Sequence, residues 1–125
     1  MTDKLLLGCR ILIVEDNYYQ ASDIQHSLEL AGAQIVAAKA KVPDLVGLLA
    51  QGRIDGGLID VNLGHCLSFE FARTLRHHNI PFIFLTGYHE SVVPKDLAEV
   101  PCLRKPSSSK RIVEELSNIT VRLKK

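Results

Sequence analysis

Four short apolar runs in this sequence end on residues able to do chemistry. Ile11–Val14 leads into Glu15-Asp16-Asn17, Gly57–Ile59 into Asp60, Pro81–Leu85 into Thr86-Gly87-Tyr88, and Pro101–Arg104 into Lys105-Pro106. Gathered at one place, the carboxylates, the hydroxyl and the ammonium group would have a definite chemistry. Unit like charges ~4 Å apart repel by about 1 kcal/mol in water and about 4 kcal/mol at an effective dielectric near 20, so crowded acids call for a divalent cation. Oxygen ligands that leave sites for water or phosphate suit magnesium. Cation, lysine and hydroxyl around one carboxylate would stabilise charge on phosphoryl oxygens. A carboxylate can itself be the nucleophile, giving an aspartyl phosphate. Asp60 is the candidate, because it stands between the acidic pair and the lysine in the sequence.

Whether these residues meet depends on the elements that carry them. Ile11–Val14 is wholly apolar and largely β-branched, the pattern of a buried strand. Ala21, Ile24, Leu28 and Ala31 recur at helical spacing, and Gly32 stops that helix. Gln34–Ala38 is a second strand. Pro43 is placed to open a helix striped by Leu45, Leu48 and Leu49, with Gly52 closing it. Gly57–Val61 is the third strand, and Ser68 the expected N-cap of a helix carrying Phe69, Phe71, Ala72 and Leu75. Pro81–Leu85 is the fourth strand, Pro94 opens a short helix, and Pro101–Arg104 is the fifth strand. Ile112, Leu116, Ile119 and Leu123 mark a long C-terminal amphipathic helix.

This alternation, strand then helix five times, predicts an α/β fold: a doubly wound five-stranded parallel sheet of order 2-1-3-4-5. Such sheets place function at the carboxyl ends of the strands, beside the point where strand order reverses. Glu15, Asp16, Asp60, Thr86 and Lys105 all fall there. Singly each has a plain explanation, an acid at a helix N-terminus or a solvated lysine; jointly they do not.

Composition narrows the classes. The chain has 125 residues, enough for one domain over 1–125 with its core in 10–123, and no residues remain for an output domain. A net charge of +1 lacks the basic signature of nucleic-acid binding. Cys9, Cys66 and Cys102 form neither a CxxC pair nor a zinc-ligand spacing, which suits a reducing cytoplasm. No apolar run reaches membrane-spanning length.

The motifs "ILIVEDN", "LIDVNL", "FLTGY" and "LRKP", in this order and on these strands, resemble the receiver domain of bacterial two-component response regulators, a flavodoxin-like fold. "DVNLG" and "FIFLTGY" resemble the alphaproteobacterial stand-alone receivers marked by a Phe-x-Thr-Gly-Tyr-like stretch. The resemblance implies a cytoplasmic phosphorylation switch. Asp60 would accept phosphate from a histidine kinase or a histidine phosphotransfer protein. Asp16 would hold Mg2+ directly and Glu15 through water, with Asp60 and the backbone carbonyl of Asn62 as further ligands. Thr86 would hydrogen-bond the phosphoryl group, Lys105 would pair with one of its oxygens, and the bond to Pro106 would be cis. The protein would be a phosphoacceptor, not a turnover enzyme, whose own groups assist phosphate gain and loss. Its output would be an unknown downstream protein partner; a homodimer through the last helix is compatible with this, though no residue singles it out.

Three positions depart from or add to that pattern. The family's aromatic three residues before the lysine is replaced by Cys102, and Ser107 stands where an aromatic often follows the proline. Tyr88 is bulky enough to shield an acyl phosphate from water. Ser107-Ser108-Ser109 is expected to cap the last helix. His65, Cys66 and His89 read as loop polarity, and His77-His78 as the end of the third helix. Three rival readings remain open at this point. The first is a receiver-like interaction module with no working switch. The second is an aspartate-nucleophile phosphatase, which lacks its usual second acid because Asn62 stands there. The third is a flavin carrier, whose phosphate loop Glu15-Asp16 would repel.

Overall fold

The computed structural model describes residues 4–63, 67–87, 93–105 and 107–121. In chain order the elements are β1 (Arg10–Val14), α1 (Tyr18–Leu30), β2 (Gln34–Lys39), α2 (Leu45–Leu49), β3 (Gly56–Asp60), α3 (Phe69–His77), β4 (Phe82–Thr86), β5 (Cys102–Arg104) and α4 (Ser109–Val121). The five strands form one sheet of order β2-β1-β3-β4-β5, and every neighbouring pair is parallel. The topology is the one read from the sequence. Among the described residues no helix is long and apolar enough to cross a membrane.

Strand alternation divides the apolar side chains between two faces. Ile11, Ile13, Leu58, Ile83, Leu85 and Leu103 pack with Ile24 and Leu28 of α1 and with Ile112 and Leu116 of α4. Leu12, Val14, Ile59, Phe82 and Phe84 pack with Leu45 and Leu48 of α2 and with Phe69, Ala72 and Leu75 of α3. The rings of Phe69 and Phe84 meet edge to face, with centroids 5.9 Å apart. Because the sheet is covered on both faces, its central strands carry unbroken apolar runs, and a polar residue is tolerated only where a run ends.

Helix ends follow local chemistry. Asn17 caps α1, its side chain accepting from the Gln20 amide at 3.0 Å. Gly32 follows α1 at φ 98, and a Cβ there would lie 2.8 Å from the Leu7 backbone, because Leu6 bonds to the Ala31 carbonyl. Ser108 caps α4 by accepting from the Arg111 amide, as expected for the serine run.

Three expectations are corrected. Helix α2 begins at Leu45 behind Asp44, so Pro43 lies before it and does not open it. The fourth helix is a single 3-10 turn, Lys95–Leu97; only Leu97 of this turn is buried, and one anchor gives no apolar stripe to sustain a longer helix. That turn is tied to α3 instead by Arg73 to Asp96 and by Arg76 to the Asp96 carbonyl and Glu99. Ser68 stands at the N-cap position of α3, but its side chain makes no capping bond.

Leu116 is fully buried against β3 and β4, whereas Val46 on α2 is 69% exposed. Leu116→Ala is expected to cost about 2–5 kcal/mol in urea unfolding, and Val46→Ala less than about 0.5 kcal/mol.

Candidate functional site

The carboxyl ends of β1, β3 and β5 bring Glu15, Asp16, Asp60 and Lys105 together. Lys105 Nζ lies 2.9 Å from Glu15 Oε1 and 2.9 Å from Asp60 Oδ2. It bonds Asp60, but it is out of line for a hydrogen bond to Glu15, so that buried oxygen has an ionic neighbour and no hydrogen-bond donor. Glu15 Oε2 accepts from the Asn17 amide at 3.1 Å, and Asp60 Oδ1 from the Asn62 amide at 3.1 Å. Glu15 and Asp60 are buried, whereas Asp16 faces solvent. Oxygens of Glu15, Asp16 and Asp60 all lie within 4.8 Å of one another.

Thr86 is fully buried at the end of β4, one residue beyond Leu85, the register partner of Asp60. Its carbonyl accepts from the Lys105 amide at 2.7 Å, so the ends of β4 and β5 are joined directly beside Asp60. Cys102 is half-buried in β5 and packs on the α2–α3 side of the sheet. Tyr88 and Pro106 lie outside the described residues, as do His65, Cys66 and His89.

The electrostatics are those of two buried acids sharing one ammonium group. Burial, and then the neighbouring Asp60 carboxyl, push Glu15 above its ordinary 4.5 despite Lys105 and the Asn17 amide. Burial alone would lower Lys105; its close approach to the two carboxylates, Glu15 and Asp60, outweighs that and holds it above its ordinary 10.5. Three converging carboxylates, with one buried oxygen lacking a donor, fit a hard divalent cation such as Mg2+. A groove of about 440 Å³ between Gln20, Asp23 and Ile24 of α1 and Ser107, Ser109 and Ile112 opens beside Lys105.

Sequence reasoning placed the acids, the threonine and the lysine at this edge. It missed two supports. Asn17, not the acids, caps α1, and its amide holds Glu15. The Ser68 hydroxyl bonds the Asp60 carbonyl. A serine before an apolar helical stripe reads as a cap, and nothing in the sequence separates the two roles.

The sequence matches the response regulator receiver domain over residues 11–117, and the chain belongs to that family. It is a receiver domain of two-component signalling. No curated protein sequence matches it. Among solved structures, the receiver domain of PhyR from Erythrobacter litoralis superposes with a TM-score of 0.79 at 19% identity, covering 92% of each chain. PhyR from Brucella abortus gives 0.78 at 19% identity over 97% of this chain, which spans 52% of that protein. A CheY-like receiver domain from Methylobacillus flagellatus gives 0.73 at 23% identity, over 89% of this chain and 98% of that one. At these identities the likeness speaks for the fold.

A raised Glu15 pKa means that the folded protein holds this proton more tightly than the unfolded chain does. The resulting stabilisation is complete below 4.5 and is lost as pH rises through the folded value. In chelator, wild type should therefore gain stability relative to Glu15→Gln on acidification from about pH 7 to about pH 5. Paired thermal melts across that range check it. Parallel curves would show that Glu15 is not strained by its neighbours.

Proposed function

We propose that this receiver domain is a phosphorylation switch that accepts a phosphoryl group on Asp60. The observation that carries the reading is the carboxylate at the end of β3, held between the Lys105 ammonium and the Asn62 amide, with two further acids within reach. The donor is a phosphohistidine on a kinase or phosphotransfer protein. One Asp60 oxygen forms a bond to phosphorus as the phosphorus–nitrogen bond breaks, and the imidazole leaves with the electron pair and takes a proton from solvent.

Glu15, Asp16, Asp60 and the Asn62 carbonyl would hold Mg2+, whose charge offsets that of the incoming phosphoryl group. Lys105, already poised on Asp60, follows the charge onto a phosphoryl oxygen, and Thr86 donates a hydrogen bond to another. Tyr18 and Tyr19 open α1 next to the acids, are 77% and 79% exposed, and offer the donor an aromatic surface. Phosphorylation biases an existing two-state equilibrium through Thr86 and Lys105, and the output is a protein–protein contact.

A second reading is supported by Cys102. This half-buried thiol stands in place of the family's aromatic, which favours a receiver-fold interaction module that needs no phosphate. One experiment separates the two. With Mg2+ and acetyl phosphate, intact mass should show a single base-labile phosphoryl group, absent in Asp60→Asn and in chelator. Lys105→Ala should slow its appearance by about tenfold or more. Absence of modification, with a cognate kinase as well, would favour the module.

A further inference from the structure

We infer that Ser68 is a positioning residue for the phosphoacceptor, acting through the backbone of Asp60; the inference builds on the phosphorylation reading. Ser68 is fully buried at the N-cap position of α3. A serine there ordinarily turns its hydroxyl onto the first-turn amides, which stabilises a helix by about 1 kcal/mol. This one makes no such bond. Its Oγ instead donates to the Asp60 carbonyl at 2.7 Å, with a longer contact of 3.3 Å to the Val61 carbonyl. The helix forgoes a side-chain cap, and the hydroxyl goes to the residue that carries the chemistry.

Besides the Lys105 bond to Asp60 Oδ2, several hydrogen bonds hold the Asp60–Asn62 segment. The Val61 amide donates to Leu85 at 2.8 Å, and the Ser68 amide donates to Val61 at 3.0 Å. The Asn62 amide donates to Asp60 Oδ1 at 3.1 Å, and the Ser68 hydroxyl closes the set. Asn62 also bridges to Leu67, so Leu67 and Ser68 lie beside the end of β3. Backbone amides are available from almost any sequence; the hydroxyl is not. Here a side chain donates to the backbone of the segment itself. It acts on the peptide unit joining the nucleophile to the segment that ends in Asn62, so it sets how the Asp60 carboxylate meets Lys105 and the neighbouring acids. Supporting bonds of this kind, once removed, typically cost 10–100-fold in metal affinity or activity.

The test compares Ser68→Ala with Thr120→Val in the full chain. Thr120 is an equally buried hydroxyl that donates to a backbone carbonyl, Leu116 at 2.9 Å, on α4. It therefore reports what losing such a bond does to stability alone. Ser68→Thr keeps the hydroxyl, and Ser68→Gly replaces the alanine variant should that fail to fold. Mn2+ affinity is measured by electron paramagnetic resonance of the free ion. Phosphorylation by acetyl phosphate is measured by intact mass at limiting and saturating Mg2+, where circular dichroism shows each variant folded.

The expected result is about tenfold weaker Mn2+ binding and slower phosphorylation for Ser68→Ala, neither change for Thr120→Val, and recovery in Ser68→Thr. Equal Mn2+ affinity in wild type and Ser68→Ala overturns the inference, as does an equal loss in Thr120→Val or no Mn2+ binding by any variant. If wild type takes no phosphate from acetyl phosphate or from a cognate kinase while the Mn2+ affinities separate as expected, the switch reading fails and the positioning role stands. If wild type is phosphorylated and Ser68→Ala matches it in both measurements, only the positioning role fails.

Discussion

Two buried carboxylates share one ammonium group, and the rest of the structure can be understood from that crowding. Glu15 and Asp60 arrive on β1 and β3, which pair directly at the centre of the sheet. Their separation is therefore set by strand pairing, and side-chain choice does little to relieve it. Lys105 comes from beyond β5, at the sheet edge, and its amide is tied to the Thr86 carbonyl. The lysine that balances the acids is thus anchored to the strand end bearing the hydroxyl. A buried charge without its partner is strongly destabilising, so the arrangement holds only while all the strand ends stay in register. Burial first, and then the neighbouring Asp60, hold Glu15 above its ordinary value despite the lysine. A divalent cation would relieve the remaining repulsion.

The fold was legible because its two periods are clean. Ile11–Val14 and Phe82–Leu85 are continuous apolar runs, and α4 carries Ile112 and Leu116 on one stripe, so strand and helix were separable by pattern. The topology then followed from chirality and length, and the edge bearing the site followed from the topology. Pro43 misled, whereas Pro94 does stand at the N-cap of a short helix, a single 3-10 turn. Proline is compatible with a helix start but does not require one, and the chain beyond each supplied few buried anchors.

The acids and the lysine were legible because their types are unusual where an apolar run ends. Their supports were not, because hydrogen bonds from Asn17 and Ser68 use residue types common at any helix start. What decides between a capping and a positioning serine is that Leu67 and Ser68 lie back against the end of β3. The antiparallel bridge of Asn62 to Leu67 returns the chain to the strand it has just left. That is a tertiary fact with no local signature.

Cys102 bears on how motion at the site could spread. It lies in β5 opposite Phe84, packed on the α2–α3 side of the sheet, where it fills part of the core. A thiol has none of the reach of an aromatic ring, so a side chain swinging between two positions is a poor device at this place. The backbone offers another. Thr86 and Lys105 are joined by a 2.7 Å hydrogen bond, and the 3-10 turn before β5 is clasped to α3 through Arg73 and Asp96. A displacement of the β4 end must either strain that bond or carry β5 with it. On the proposed switch reading, coupling would run through the joined strand ends, with the turn before β5 held to α3 by side-chain ion pairs, and neither needs the aromatic.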